Sequence, residues 1–413
     1  MSRKKLIGPF RQVLTMDHLP LKGALADDCL EVLHDVGISM ENGKIISILP
    51  FNQYLTNEPE CGIEIEYLEG DYTLIPGLID AHTHICFAGS RAMDHAMKLS
   101  GKSYLEIAAL GGGINTTVAK TREAGFDELL ELTRQRAMIA LKNGITTIEI
   151  KSGYGLDIEN ELKMLKVIKA LDQQLDMTFV STCLAAHTVP SDFTGTPEDY
   201  LRWMLKELLP VVRRENLSNR IDIFVEKSAF GRNESDAYLQ AVKNSGFDIT
   251  VHADQFTTGG SELAVKWNAL SADHLEASTS KEIELLAKSD TVAVCLPGAS
   301  IGLGEPFAPA RKLLDAGAAV AVASDWNPGS APMGDLLLQA SVLATYEKLT
   351  TAEVFAGLTF RAAKALNLSD RGALRPGNQA DFIAFPTADY REILYHQGMM
   401  KPEKVWVNGN IVN

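Results

Sequence analysis

Between residues 73 and 375, short β-branched apolar runs alternate with long helical stretches, and no other feature narrows the possible fold as far. The runs are Leu74–Ile79, Thr146–Ile150, Met177–Leu184, Ile221–Val225, Asp248–Val251, Ala269–Ala272, Thr291–Leu296 and Ala319–Ala323. Their intervals hold amphipathic helices such as Phe126–Leu141 and Glu159–Leu171. A strand apolar on both faces must be covered on both faces, and strand–helix alternation covers a parallel sheet that way. Eight such units predict an α/β fold, a closed (β/α)8 TIM-like barrel over 73–375.

The chain ends read differently. Val36–Met40 and Lys44–Ile48 flank Glu41-Asn42-Gly43, and Val405–Val407 and Asn410–Val412 flank Asn408-Gly409. Asn-Gly between such runs is a hairpin signal, because both turn residues need positive φ. Asp381–Phe385 is a further strand candidate. Residues 1–72 and 376–413 are therefore expected to pair into one small β-sandwich-like domain.

Composition removes several classes of function. Hydrophobic residues make up 46% of the 413, enough for a large core. The formal net charge of -14 repels phosphate backbones, so nucleic acid is not an expected partner. An acidic chain that binds an anionic small molecule needs local positive charge in its site. The five cysteines, Cys29, Cys61, Cys86, Cys183 and Cys295, are odd in number and scattered, which fits a reducing cytoplasm. The basic start at Met1 has no apolar stretch behind it, and no segment approaches a membrane span, so neither signal peptide nor membrane contact is expected. A homodimer is the common state of such soluble enzymes.

In a barrel of this kind the active site lies at the C-terminal ends of the strands. The first run ends Asp80-Ala81-His82-Thr83-His84. Residues two apart on a strand share a face, so His82 and His84 point together and form a metal chelate. The alternative is two unrelated loop histidines. The second run leads into Lys151-Ser152-Gly153-Tyr154-Gly155, where Tyr154 either donates a hydrogen bond to a ligand or packs a loop. Later runs end at His187, at Glu226-Lys227, at His252-Ala253-Asp254-Gln255, at Asp273-His274 and at Asp325-Trp326-Asn327. A lone histidine at a strand end is usually structural, but here histidines end four of the eight runs and an aspartate ends the last. His18, His34, His95 and His396 lie away from strand ends and read as structural or exposed. Gly111-Gly112-Gly113 offers N–H groups to an anion or, the preferred reading, supplies positive φ before a helix.

The segments PGLIDAHTH (Pro76–His84), HAD, SADH and SDWNPGS resemble the amidohydrolase superfamily. FAGSR (Phe87–Arg91), GGGI (Gly111–Ile114), KSGYGL (Lys151–Leu156), AAHTVP (Ala185–Pro190), HADQ (His252–Gln255), SADHL (Ser271–Leu275) and DWNPGS (Asp325–Ser330) resemble the imidazolonepropionase family within it, in order and spacing, over nearly the whole chain. The resemblance implies hydrolysis of the cyclic amide C–N bond of 4-imidazolone-5-propanoate to N-formimidoyl-L-glutamate. It implies one divalent metal per chain, zinc or iron, held by His82, His84, His252 and Asp325. It places Arg91, Tyr154 and His187 on the substrate, with Asn327, Gly329 and Ser330 on substrate or product. Members carry Glu or Gln where this chain has Gln255. An amide cannot serve as general base, so Gln255 is left to hydrogen-bond the ring, and the base is Asp325 or His274. Arg91, seven residues past His84, is the cation for the propionate or the partner of a surface ion pair. Superfamily relatives with two metals bridge them by a lysine on the fourth strand. Here the inward residue there is Glu226, with Lys227 beside it, so a single metal is expected. A purine or pyrimidine deaminase would share the histidines and aspartate but would not need Arg91. A non-catalytic assembly protein on the same barrel would typically have lost ligands.

Overall fold

The computed structural model describes residues 4–56, 63–102, 106 and 110–412; Met1 and Cys61 lie outside them. The two chain ends form one mixed eight-stranded sheet. Its strands are β1 (Lys4–Leu14), β2 (Val32–Glu41), β3 (Lys44–Pro50), β4 (Glu64–Tyr67) and β5 (Thr73–Pro76). The second sheet has β6 (Leu78–Asp80), β7 (Ile145–Lys151), β8 (Thr178–Ala186), β9 (Arg220–Val225), β10 (Asp248–Ala253), β11 (Ser271–His274), β12 (Val292–Cys295) and β13 (Val320–Val322). The chain then returns to the first sheet with β14 (Phe382–Phe385), β15 (Lys404–Val407) and β16 (Asn410–Ile411).

The end sheet runs β16-β15-β14-β5-β1-β2-β3, with β4 beside β1. Both Asn-Gly hairpins form where the turn chemistry predicts them, with φ of 52° and 76° at Asn42 and Gly43 and 51° and 74° at Asn408 and Gly409. The two turns belong to strands far apart in the sheet order, yet both bond the same residue. Ala380 donates to the Gly43 carbonyl at 2.8 Å and accepts from the Gly409 N–H at 2.9 Å. The sheet is therefore rolled over its own core, giving the sandwich-like form. Trp406 fills that core, with ring centroids 6.2 Å from Phe10 and 5.1 Å from Phe382.

The second sheet is all parallel, in the order β6 to β13, with helices between the strands. Several expected runs have different limits, among them Met177–Leu184, which becomes Thr178–Ala186. Leu74–Ile79 is two strands: Gly77 donates to Asp381 of the end sheet at 3.0 Å, and Leu78 donates to Gly144 beside β7 at 2.9 Å. Neighbouring N–H groups thus feed different sheets. A Cβ at Gly77 would lie 2.1 Å from Thr146 Oγ1, so only glycine allows the crossing. Gly77→Ala is expected to destabilise the chain by about 1–3 kcal/mol through overpacking; an unshifted urea midpoint would show that Thr146 yields freely. Ala269–Ala272 becomes Ser271–His274, and Asp248–Val251 extends to Ala253.

Regular pairing stops between β6 and β13, and the ring is closed by the segments that follow them. Asp325 N–H donates to the His82 carbonyl at 3.0 Å, and His84 N–H donates to the Trp326 carbonyl at 2.9 Å. Among the described residues, no helix is long and apolar enough to cross a membrane.

Candidate metal centre and substrate pocket

That closure brings His82, His84 and Asp325 to one rim, and β10 delivers His252 beside them. His84 Nε2 lies 3.2 Å from His82 Nε2 and 3.3 Å from His252 Nε2. Asp325 Oδ1 lies 3.5 Å from His82 Nε2 and 3.4 Å from His84 Nε2. An ion bound at about 2.0–2.1 Å by tetrahedrally placed nitrogens holds them roughly 3.3–3.4 Å apart. The spacing fits such an ion.

Proton bookkeeping points the same way. His82 Nδ1 meets Asp273 Oδ2 at 2.6 Å, and His252 Nδ1 lies 3.1 Å from Asp222 Oδ2. Asp273 accepts from His82 Nδ1, and a proton on His252 Nδ1 faces the Asp222 carboxylate, an arrangement in which each Nε2 presents a lone pair to the centre. A proton on His84 Nε2 satisfies one of its two neighbours and leaves the other's lone pair without a donor. A cation at the centre accepts all three lone pairs together. Burial, then the Lys151 ammonium and neighbouring imidazoles, holds His82 well below the ordinary histidine range. Burial, then His187 and Lys151, does the same at His84. His252 is pushed down to about 3, chiefly by burial against the opposing pull of Asp222. Neutral imidazoles are what a metal requires. Burial raises the Asp325 carboxyl, partly offset by His274 and His252. At His274, burial is outweighed by Glu276, whose Oε1 lies 3.5 Å from Nδ1, and the net shift is upward.

A cavity of about 690 Å3 opens onto the centre, and its walls carry Arg91, Tyr154, His187, Gln255, His274, Asn327, Gly329 and Ser330. Tyr154 is buried, and burial, reinforced by Asp325, raises its hydroxyl far above the usual range, so it stays a donor. His187 stacks on His84, with centroids 5.5 Å apart, and its Nδ1 is 3.0 Å from the Gly153 carbonyl. Arg91 spends Nε on Asp94 at 2.8 Å. Its Nη1 turns to the last loop, where a Cβ on Gly329 would fall 2.5 Å from it. Arg91 thus has an ion pair at Nε and a place on the cavity wall. Asn327 organises the same loop by accepting from Gly329 N–H and Ser330 N–H at 2.7 and 2.8 Å. Gly111 and Gly113 take positive φ, 85° and 88°, ahead of the helix Ile114–Glu123, and Gly113 N–H is bound by Asp94 at 2.8 Å.

Residues 73–412 match the Amidohydrolase family. Imidazolonepropionase of Bacillus mycoides (strain KBAB4) is 39% identical over 97% of this chain and 94% of its own length. That of Bacillus cereus (strain AH187) is 40% identical over the same shares. The chain belongs to the imidazolonepropionase family of amidohydrolases. The solved adenosine deaminase of Xanthomonas campestris with bound zinc shares the fold, at a TM-score of 0.69 and 17% identity over 99% of this chain and 92% of that one.

In this imidazolonepropionase-family chain the fourth barrel strand provides no bridging lysine. Lys227 is exposed, and the Glu226 carboxylate is turned away to backbone N–H groups of the next loop. The buried lysine is Lys151 on β7. Its ammonium lies 2.7 Å from Glu149 and 2.8 Å from Asp222. Burial would lower it, but those carboxylates prevail and keep it charged. Lys151, Glu149, Asp222 and Asp273 form a layer beneath the histidines that the reading of strand ends missed. The available signal was a pair of charges two apart, Glu149 and Lys151, inside an apolar run. His95, read as structural or exposed, is exposed at the pocket rim.

Proposed function

We propose that this chain hydrolyses 4-imidazolone-5-propanoate to N-formimidoyl-L-glutamate, with one divalent ion, zinc or iron, held by His82, His84, His252 and Asp325. The observation that carries this reading is a cluster of three histidines, with Asp325 Oδ1 3.4 Å from His84 Nε2, beside an arginine on the wall of the same cavity. When bound, the ion supplies Lewis acidity that polarises a carbonyl and lowers the pKa of water to about 7.

The protein's own residues do the rest. Arg91 takes the propionate by charge-assisted hydrogen bonds. Tyr154 and His187 wall the ring, and Gln255 hydrogen-bonds it. Asp325 accepts the proton of the attacking water and passes it to the ring nitrogen as the C–N bond breaks, leaving a carboxylate and a formimidoyl group. His274, backed by Glu276, donates to the carbonyl oxygen as negative charge develops there. Asn327, Gly329 and Ser330 hold the loop against substrate and product. We also propose that the chain divides into a composite β domain, 1–72 with 376–413, and a barrel, 73–375. The protein works in the cytoplasm as a homodimer on this small-molecule substrate, without nucleic acid or membrane.

The competing deaminase reading predicts turnover of cytosine or guanine. Incubation with fresh imidazolone propionate, followed by loss of the ring's ultraviolet absorbance, is expected to show turnover at the rates of ordinary enzymes, on the order of 1–1000 per second. Turnover of cytosine, guanine or hydantoin in its place would overturn the assignment.

A further inference from the structure

The wall that carries Gln255 is organised from outside the catalytic set. Asp254–Gly259 follows β10 and places Gln255 and Phe256 along the cavity. Buried carboxylates pin both ends of this segment. At its far end Asp254 accepts from Gly259 N–H and Gly260 N–H, each at 2.9 Å. At the pocket side Glu226, just past β9, accepts from Phe256 N–H at 3.1 Å, from Thr257 N–H at 2.9 Å and from the Thr257 hydroxyl at 2.5 Å. Its remaining bond comes from Lys227 N–H at 2.8 Å. Glu226 is only 4% exposed, no ion pair to it is seen among the described residues, and donated hydrogen bonds hold its carboxyl group in place. Such an arrangement fixes a loop rigidly, because each donor it holds is a strong charge-assisted bond.

We propose that Glu226 is a positioning residue for ring recognition, acting through Gln255. The side chain reaches neither the metal ligands nor the cavity. Its two oxygens bridge the fourth and fifth strand-to-helix loops, and the backbone they clamp begins at the residue after Gln255. Fixing Phe256 N–H and Thr257 N–H fixes the direction in which Gln255 leaves the chain, and so the place of its amide above the ring. A neutral amide in the same position presents an NH2 to donors that need an acceptor, which frees one side of the clamp.

The inference rests on the proposed role of Gln255, and the experiment separates the two. KM and kcat for imidazolone propionate, with metal content, would be measured for Glu226→Gln, Gln255→Ala and the double variant. Glu226→Gln is expected to raise KM roughly ten-fold, with metal content unchanged and kcat within about three-fold, as loss of one charge-assisted bond implies. The double variant is expected to match Gln255→Ala, because Glu226 has nothing left to position. If Gln255→Ala raises KM and Glu226→Gln does not, the positioning role is overturned while Gln255 stands. If Gln255→Ala itself leaves KM unchanged, the role of Gln255 fails first. Effects of the two single changes that multiply in the double variant would make Glu226 a general support of the fold. Should Glu226→Gln not fold, Thr257→Val removes one bond to the same carboxylate and is expected to raise KM in the same direction, about two-fold.

Discussion

Asp325→Asn, loaded with metal, is expected to lose about a hundred- to ten-thousand-fold in kcat, the range that positioned proton transfer contributes. The substitution keeps the size of the side chain and one oxygen for the ion, but an amide does not accept the water's proton. Asp325 stands where both proposed roles meet, with Oδ1 within 3.5 Å of His82 Nε2 and His84 Nε2 and Oδ2 at 3.4 Å from the Ser330 hydroxyl. Its backbone is held at a φ of 51°, an uncommon conformation for aspartate that the surrounding loop sustains. Metal analysis must accompany the kinetics, since lost ion and lost proton acceptor both reduce turnover. A metal-replete variant within ten-fold of the native rate would move the proton acceptor to His274.

Arg91→Ala is expected to raise KM about a hundred-fold and leave the ion in place. Truncating one partner of a desolvated charge pair costs about 2–5 kcal/mol, and although Lys98 and Lys102 also line the cavity, neither offers a guanidinium's planar fork. Asp94 supports the interpretation. By taking Nε at 2.8 Å it fixes the guanidinium on the cavity wall, with Nη1 toward the last loop. The discriminating measurement is an analogue without the propionate. Native and variant proteins should handle it alike. An equal loss on both substrates would mean that Arg91 shapes the loop and does not read the tail.

Much of this was legible in the residues, for identifiable reasons. His82-Thr83-His84 after an apolar run is readable because strand geometry turns alternate residues to one side. The two Asn-Gly turns are readable because few residues tolerate paired positive φ. Strand limits were harder where polar residues occupy a buried strand. Ser271–His274 looks like loop by composition, yet it is buried because Asp273 and His274 find partners inside the barrel. The layer of Lys151, Asp222 and Asp273 escaped for a related reason. A charge is stable there only beside its counter-charge, and the counter-charges sit on β7, β9 and β11, far apart along the chain. Gly77 marked a break that hydrophobicity alone could not show, because Thr146, the side chain that demands it, lies on the neighbouring strand.

The ring's last seam is sewn by the same peptide groups that flank the donors. On a ribosome, His82 and His84 emerge long before Asp325, and until that late segment arrives the nascent barrel has an open flank and an incomplete cage. Sealing of the cylinder and completion of the proposed donor set are therefore one event, and both wait for the segment around Asp325.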